Sequence, residues 1–151
     1  MFTSDAQTVI DRAKDIAVSN RVNQLRLDAI VASLVMDRRG VQLLAQCLDD
    51  EAVELQRKFK PTEPLRRSSW KLPLAEEVRA MLALAKALVS KFPSANLPPL
   101  ISLPHLTGAT ALSLKPEHGP FVHAPKQEKV EELVRGWVEE GGRPPGLGDL
   151  T

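Results

Sequence analysis

Several residue types are scarce in this chain, and each shortage excludes a class of structure or function. The 151 residues include no tyrosine, and aromatic residues make up only 4%. This composition argues against a surface on which nucleic-acid bases stack and against a core rich in β-sheet. The single cysteine, Cys47, excludes an internal disulfide and fits a reducing compartment.

A large net charge and a long apolar run are also missing. The chain has 20 basic and 19 acidic residues, a formal net charge of +1, so no field of one sign attracts nucleic acid or membrane. No apolar run approaches the ~20 residues that span a bilayer. The first five residues lack the basic and apolar regions of a signal peptide. We therefore expect a cytoplasmic protein.

The chain does contain an internal repeat of one apolar pattern, displaced by 72 positions (6 to 78, 17 to 89). The first copy is Ala6, Val9, Ile10, Ala13, Ile16 and Ala17, and the second is Val78, Met81, Leu82, Ala85, Leu88 and Val89. This spacing is typical of amphipathic helices. A repeat of this size indicates two small helical units that bury their stripes together. The sequence therefore predicts an all-α fold.

The predicted organisation is one compact domain over residues 1–151, built from two pseudo-symmetric four-helix repeats. Repeat one covers 1–60, a proline-containing linker covers 61–72, repeat two covers 73–140, and a flexible tail rich in glycine and proline covers 141–151.

Local signals predict where several helices begin and end. Thr3 is expected to cap the first helix by accepting a backbone hydrogen bond, and Asp28 to open the second. Gly40 is expected to break the second helix, and Asp49-Asp50 to cap the fourth. In the second repeat, Pro104 is placed in the first turn of a helix, and a last helix is predicted over 126–140.

The residues Phe2-Thr3-x-x-Ala6-x-x-Val9-Ile10-x-x-Ala13-x-x-Ile16-Ala17 resemble the first helix of the Clp amino-terminal repeat. This double module stands at the front of Clp-type AAA+ unfoldases. Residues 25–35 and 101–111 occupy the places of the family's Ile-x-x-Glu-His-Leu-Leu-Leu-Ala-Leu-Leu signature. The resemblance implies a compact all-α domain without enzymatic activity, which binds adaptors and substrate segments for a Clp ATPase in proteolysis and chaperone work. The chain has no GxxxxGK[ST] motif, so it is not expected to hydrolyse ATP. It is either a free-standing Clp-repeat protein or a piece of a larger one, and its start at Met1 favours the first.

Some members of this family bind phosphoarginine through the first-helix threonine and the signature glutamate of each repeat. The corresponding residues in the first copy are Thr3 and Asp28. The second copy has Ala75 in place of the threonine, and Pro104 or Leu100 in place of the glutamate. A carboxylate is what pairs with a guanidinium, so the resemblance implies one peptide or phosphoarginine site at most. The alternative is that Thr3 and Asp28 serve only as helix caps.

Other candidate sites have simpler structural interpretations. Cys47 and His105 are a conceivable nucleophile and base, but the leucines around Cys47 favour a buried, inert thiol. His118 and His123 have no carboxylate or thiol at zinc-ligand spacing. The Glu76-Glu77 and Glu131-Glu132 pairs favour the dipoles of helix N-termini, and Trp137 fits a core stripe.

The segment Arg66-Arg67-Ser68-Ser69-Trp70 is either a docking or phosphorylation segment, or a solvated linker with its tryptophan on the core. Taken together, the sequence predicts a non-catalytic, monomeric protein-interaction module with no cofactor, metal, nucleic acid or membrane. Two alternatives remain open: a helical regulator that binds nucleic acid or a small ligand, and a small enzyme that uses Cys47 or a histidine.

Overall fold

The computed structural model describes residues 1–59, 72–93, 100–115 and 125–140, and this part of the chain is all-α. Its helices are α1 (Ser4–Ser19), α2 (Leu27–Met36), α3 (Arg38–Leu48), α4 (Ala52–Phe59), α5 (Glu76–Lys91), α6 (Leu103–Ser113) and α7 (Gln127–Glu139). The predicted fold class is confirmed. The predicted linker (apart from Leu72), the tail, the 66–70 segment, His118 and His123 lie outside the described residues.

The repeated apolar stripes of α1 and α5 both face the core. Every member of the α1 stripe is buried. In the α5 stripe every member is buried except Leu82, which is half-buried. Between them lies α6, whose residues 103–111 are all buried and which packs against α5, α7 and α3. Its hydroxyls are satisfied within the helix, since Thr107 donates to the Leu103 carbonyl and Thr110 to the Leu106 carbonyl, each at 2.8 Å.

Two isolated parallel β-bridges join the halves of the chain in an exchanged pattern. Phe2, before α1, pairs with Ile101, before α6, and Leu25, before α2, pairs with Leu74, before α5. Each bridge thus links the first helix of one half to the second helix of the other. The described residues of 73–140 contain three helices, so the predicted four-helix second repeat, and with it the pseudo-symmetric packing, stays a prediction.

Thr3 and Asp28 stand at helix starts, but neither caps as expected. The Thr3 hydroxyl donates to the Asp5 carboxylate and accepts no helix amide, because that carboxylate, which also accepts from the Ala6 amide at 2.8 Å, is the stronger acceptor. Asp28 is the second residue of α2, and Arg26 occupies the cap position.

Gly40 and Asp49 also differ from their predicted roles. Gly40 lies inside α3 and does not end α2, because the Asp37 carboxylate caps α3 by accepting from the Arg39 and Gly40 amides at 3.0 and 2.8 Å. Asp49 ends α3 in the left-handed conformation, with φ 55°, which an aspartate tolerates better than most residues. Pro104 lies in the first turn of α6, as predicted.

Candidate functional site

Thr3 lies at the junction between the starts of α1 and α6. Its backbone amide donates to the Ile101 carbonyl at 3.0 Å, and Ile101 donates to the Met1 carbonyl at 2.9 Å. The Asp5 carboxylate beside it accepts from the Arg39 guanidinium at 3.4 Å. The Thr3 hydroxyl is therefore engaged within the protein, and a ligand that bound it would have to replace the contact with Asp5.

Asp28 lies at a second junction, between the starts of α2 and α5. Leu25 donates to the Pro73 carbonyl and accepts from the Ala75 amide, both at 2.9 Å. The Leu27 amide at the start of α2 donates to the Glu77 carboxylate at 3.1 Å. The Asp28 carboxylate accepts from the Ala29 amide at 2.8 Å, and the residue is exposed. It is thus placed to meet a ligand from solvent.

The structure does not bring Thr3 and Asp28 together. The chain of contacts between α1 and α2 runs from the Val9 carbonyl, which accepts from the Ser33 hydroxyl at 2.7 Å, to Ile16, which shares a groove with Asp28. Asp28 therefore lies beside the C-terminal end of α1, whereas Thr3 precedes its N-terminal end. At 1.5 Å per residue, about 13 residues of helix separate the two positions by about 20 Å. One phosphoarginine cannot contact both residues.

The groove beside Asp28 has a volume of about 200 Å³ and lies between the end of α1, the start of α2 and the end of α4. Apolar side chains line much of it, namely Ile16, Ala17, Val22, Ala29, Ala32 and Phe59. The polar lining is Asn20, Gln24, Arg26 and Asp28. Such a surface suits an apolar side chain of a bound segment together with hydrogen bonds at the edge.

The loop between α1 and α2 forms one wall of this groove. Arg21 adopts a positive φ of 59°, and the Val22 amide returns to the Ala17 carbonyl at 2.9 Å. This turn closes the end of α1 and brings Val22 to the groove. The sequence singled out Asp28 as a candidate binding residue but did not predict this groove. A local signal for the groove was an apolar residue, Val22, between two polar neighbours.

Cys47 and His105 do not form a catalytic pair. Burial raises the pKa of the Cys47 thiol to about 12, so the thiolate is scarce at neutral pH. His105 is fully buried and uses both ring nitrogens, on the Phe92 carbonyl at 2.6 Å and on the amide and hydroxyl of Ser102 at 3.1 and 2.7 Å. The predicted burial of the Cys47 thiol is confirmed.

One glutamate of each acidic pair has a structural partner, Glu77 in the Leu27 amide and Glu131 in Lys91. Glu131 accepts from the Lys91 ammonium at 2.6 Å, and this hydrogen bond lowers the pKa of its carboxyl group. Within the described ranges, no cluster of three or more His, Cys, Asp or Glu side chains is arranged to hold a metal ion. None of the described helices combines the length and apolar character needed to cross a membrane.

Comparison with known proteins identifies the fold and leaves the family open. No family model and no curated protein matches this chain. One similar solved structure comes from preliminary structural investigations of a malarial protein secretion system. It has a TM-score of 0.64 and 19% identity, over 94% of this chain and 99% of that chain. At this identity the likeness supports the shared fold alone.

Proposed function

We propose that this chain is a non-catalytic protein-interaction module of the Clp amino-terminal kind, acting in cytoplasmic protein quality control. Its partners on this proposal are adaptor proteins, substrate segments or a Clp-type ATPase. The observation that carries the proposal is the groove beside Asp28, which combines an apolar floor with a polar edge. An extended segment is the ligand such a groove suits, since it offers side chains and free backbone groups together.

Two further observations support a polypeptide ligand. The exchanged bridges before α1, α2, α5 and α6 are what a pair of related helical units would form when packed face to face. The similar solved structure is described as belonging to a protein secretion system, so the same fold occurs where proteins are handled. The Asp28 carboxylate adds a preference for a segment with a guanidinium, including phosphoarginine, because the two pair through two hydrogen bonds.

The test is an affinity pull-down from host lysate with single-site variants. Ala32→Phe fills the groove, Asp28→Asn removes its carboxylate, and Val53→Phe adds the same ring on α4 at an exposed site outside the groove lining. We expect the wild-type chain and Val53→Phe to enrich a Clp ATPase, its adaptors or its substrates. Both groove variants should lose most of this enrichment while keeping the wild-type melting temperature.

Thr3→Ala separates the two candidate residues. Because Thr3 lies about 20 Å from the groove along α1, this variant should retrieve the same proteins as the wild type. Retention of binding by Ala32→Phe would contradict the groove as the binding site. A folded wild-type chain that retrieves none of these proteins would contradict the function and favour a regulator of nucleic acid or small ligands on the same fold.

A further inference from the structure

The groove of the proposed function lies at both ends of one segment of the chain. Phe59, the last residue of α4, lines this groove, and residues 60–71, which follow it, are outside the described residues. At the other end of this segment, the Pro73 carbonyl accepts from the Leu25 amide at 2.9 Å. Both sequence neighbours of Leu25 line the groove. The segment therefore leaves and rejoins the described structure at the rim of one surface.

The segment of residues 60–71 is long enough to reach into the groove. Leu65 stands six residues after Phe59, and six extended residues span about 20 Å. Because the chain is held at the rim on both sides, the local concentration of this segment at the groove is on the order of 1 mM. A contact with a dissociation constant of ~0.1 mM would thus be populated in most molecules.

The composition of this segment complements the lining of the groove. Four basic residues and one acidic residue give residues 60–71 a net charge of +3, although the whole chain carries only +1. Leu65 is followed directly by Arg66 and Arg67, so an apolar side chain and two guanidinium groups stand together. The groove presents the matching surfaces, which are an apolar floor and an edge that carries the Asp28 carboxylate.

The charge near this edge of the groove is mostly negative. Asp28 is exposed at the start of α2, and the Glu77 carboxylate reaches the same helix start by accepting from the Leu27 amide at 3.1 Å. The C-terminal end of α1, which carries the negative end of the helix dipole, forms another wall. Among the described lining residues, Arg26 alone is basic. The edge therefore favours a cationic ligand over an acidic one.

We propose that residues 65–67 are an internal ligand of this groove. Leu65 packs on the apolar floor, and the guanidinium groups of Arg66 and Arg67 pair with the Asp28 carboxylate. A partner segment then binds only by displacing residues of the chain itself, so the chain restrains its own binding surface. This regulation rests on the proposed function, since it concerns the same groove.

Isothermal titration calorimetry of the full chain with a synthetic peptide of residues 60–71 tests the internal ligand. Leu65→Ser/Arg66→Ser empties the groove, and we expect this variant to bind the peptide about tenfold more tightly than the wild type does. That factor is the ratio of a ~1 mM effective concentration to a ~0.1 mM dissociation constant. The matched control is Ser68→Ala/Ser69→Ala, which changes two residues of the same segment and should bind the peptide as weakly as the wild type.

A third substitution locates the binding surface. Ala32→Phe fills the groove, and added to the emptied variant it should abolish peptide binding while far-UV circular dichroism stays unchanged. Equal peptide affinity of the wild type and the emptied variant would overturn the proposal. So would an absence of binding to both, or binding that Ala32→Phe leaves intact.

The peptide titration needs no partner protein, so it separates this proposal from the proposed function. If the peptide binds as expected and the lysate pull-down retrieves no Clp ATPase, adaptor or substrate, only the proposed function fails. If the pull-down succeeds and the emptied variant gains no affinity for the peptide, only the internal ligand fails. When both hold, the emptied variant should also retrieve more of the partner than the wild type.

Discussion

At the residue scale, the hydrogen bonds of His105 determine how it responds to pH. The Phe92 carbonyl can only accept, so Nε2 carries the proton of the neutral ring and Nδ1 accepts from the Ser102 amide and hydroxyl. A second proton would have to enter at Nδ1, against the Ser102 N–H. Burial lowers the pKa of His105 below its ordinary value of 6.5, although the hydrogen bond to Phe92 opposes this effect.

We therefore predict that His105 makes the fold less stable in mild acid. The folded state binds the proton more weakly than the unfolded chain. The free energy of unfolding should thus fall as the pH drops below about 6.5, by at most about 1.4 kcal/mol per pH unit from this group, until the pH reaches the lower pKa of the folded state.

Urea unfolding at several pH values, with wild type beside His105→Gln, measures this contribution. The variant should be less stable at neutral pH, because it loses the fitted hydrogen bonds, and the difference should narrow as the pH falls. Titration of all other groups is common to both chains and cancels in this difference. Parallel stability curves would contradict the prediction.

Also at the residue scale, nearby residues in the sequence predict where helices begin but not which distant residues contact those helix starts. Thr3 and Asp28 were correctly placed at helix starts, since capping residues reveal such positions. The long-range contacts beside them were not predictable from neighbouring residues, because the Thr3 amide donates to the Ile101 carbonyl and the Leu27 amide donates to the Glu77 carboxylate. Those partners lie in the other half of the chain, and only the folded arrangement brings them near.

At the element scale, Gly108 sets the distance between α6 and α7. A Cβ atom at this position would lie 2.4 Å from Val134 Cγ2, 3.4 Å from Val130 Cγ1 and 3.5 Å from Leu88 Cδ1. Val134 is buried, and its β-branched side chain has little rotameric freedom in a helix. We predict that Gly108→Ala lowers the free energy of unfolding by about 1–3 kcal/mol in urea titrations, because α7 must move outward.

A double variant checks that this contact is the cause. Gly108→Ala/Val134→Ala should be more stable than the sum of the two single losses implies, since removing the valine methyl groups makes room for the new Cβ. Strict additivity would mean that Gly108 acts through backbone freedom and that the approach to Val134 is not limiting.

Sequence patterns predict amphipathic helices well and fully buried helices poorly, as the contrast between α6 and the other helices shows. The stripes of α1, α5 and α7 were visible because each helix has one apolar face and one polar face. Residues 103–111 of α6 are buried on every side, so this helix has no periodic apolar pattern. The predicted helix was confirmed, but its central position followed from packing that periodicity does not report.

At the scale of the whole molecule, the two halves are joined by backbone and side-chain contacts. The bridges Phe2–Ile101 and Leu25–Leu74 are two such links. A third is the buried Trp137 of α7, whose indole N–H donates to the Gln46 side-chain carbonyl on α3 at 3.0 Å. The repeat predicted that the halves share a core, but the residues that connect them fall outside the repeated stripe and were not foreseen.

These links predict that the chain unfolds as one cooperative unit, although one apolar pattern occurs twice in its sequence. Gln46→Ala removes the acceptor of the Trp137 indole N–H and should cost about 1 kcal/mol, because Gln46 is exposed and water can reach this N–H in the variant. In a Trp70→Phe background, fluorescence reports Trp137 alone, while far-UV circular dichroism reports all helices. If α3 and α7 belong to one unit, the two signals should give the same urea midpoint in the parent. They should also agree with each other in Gln46→Ala, at a lower urea concentration than in the parent.

Separate midpoints in the parent would mean that the halves fold independently and that the contact across them adds little. Because α6 packs against helices from both halves, loss of either half exposes its buried faces, and we expect a single transition.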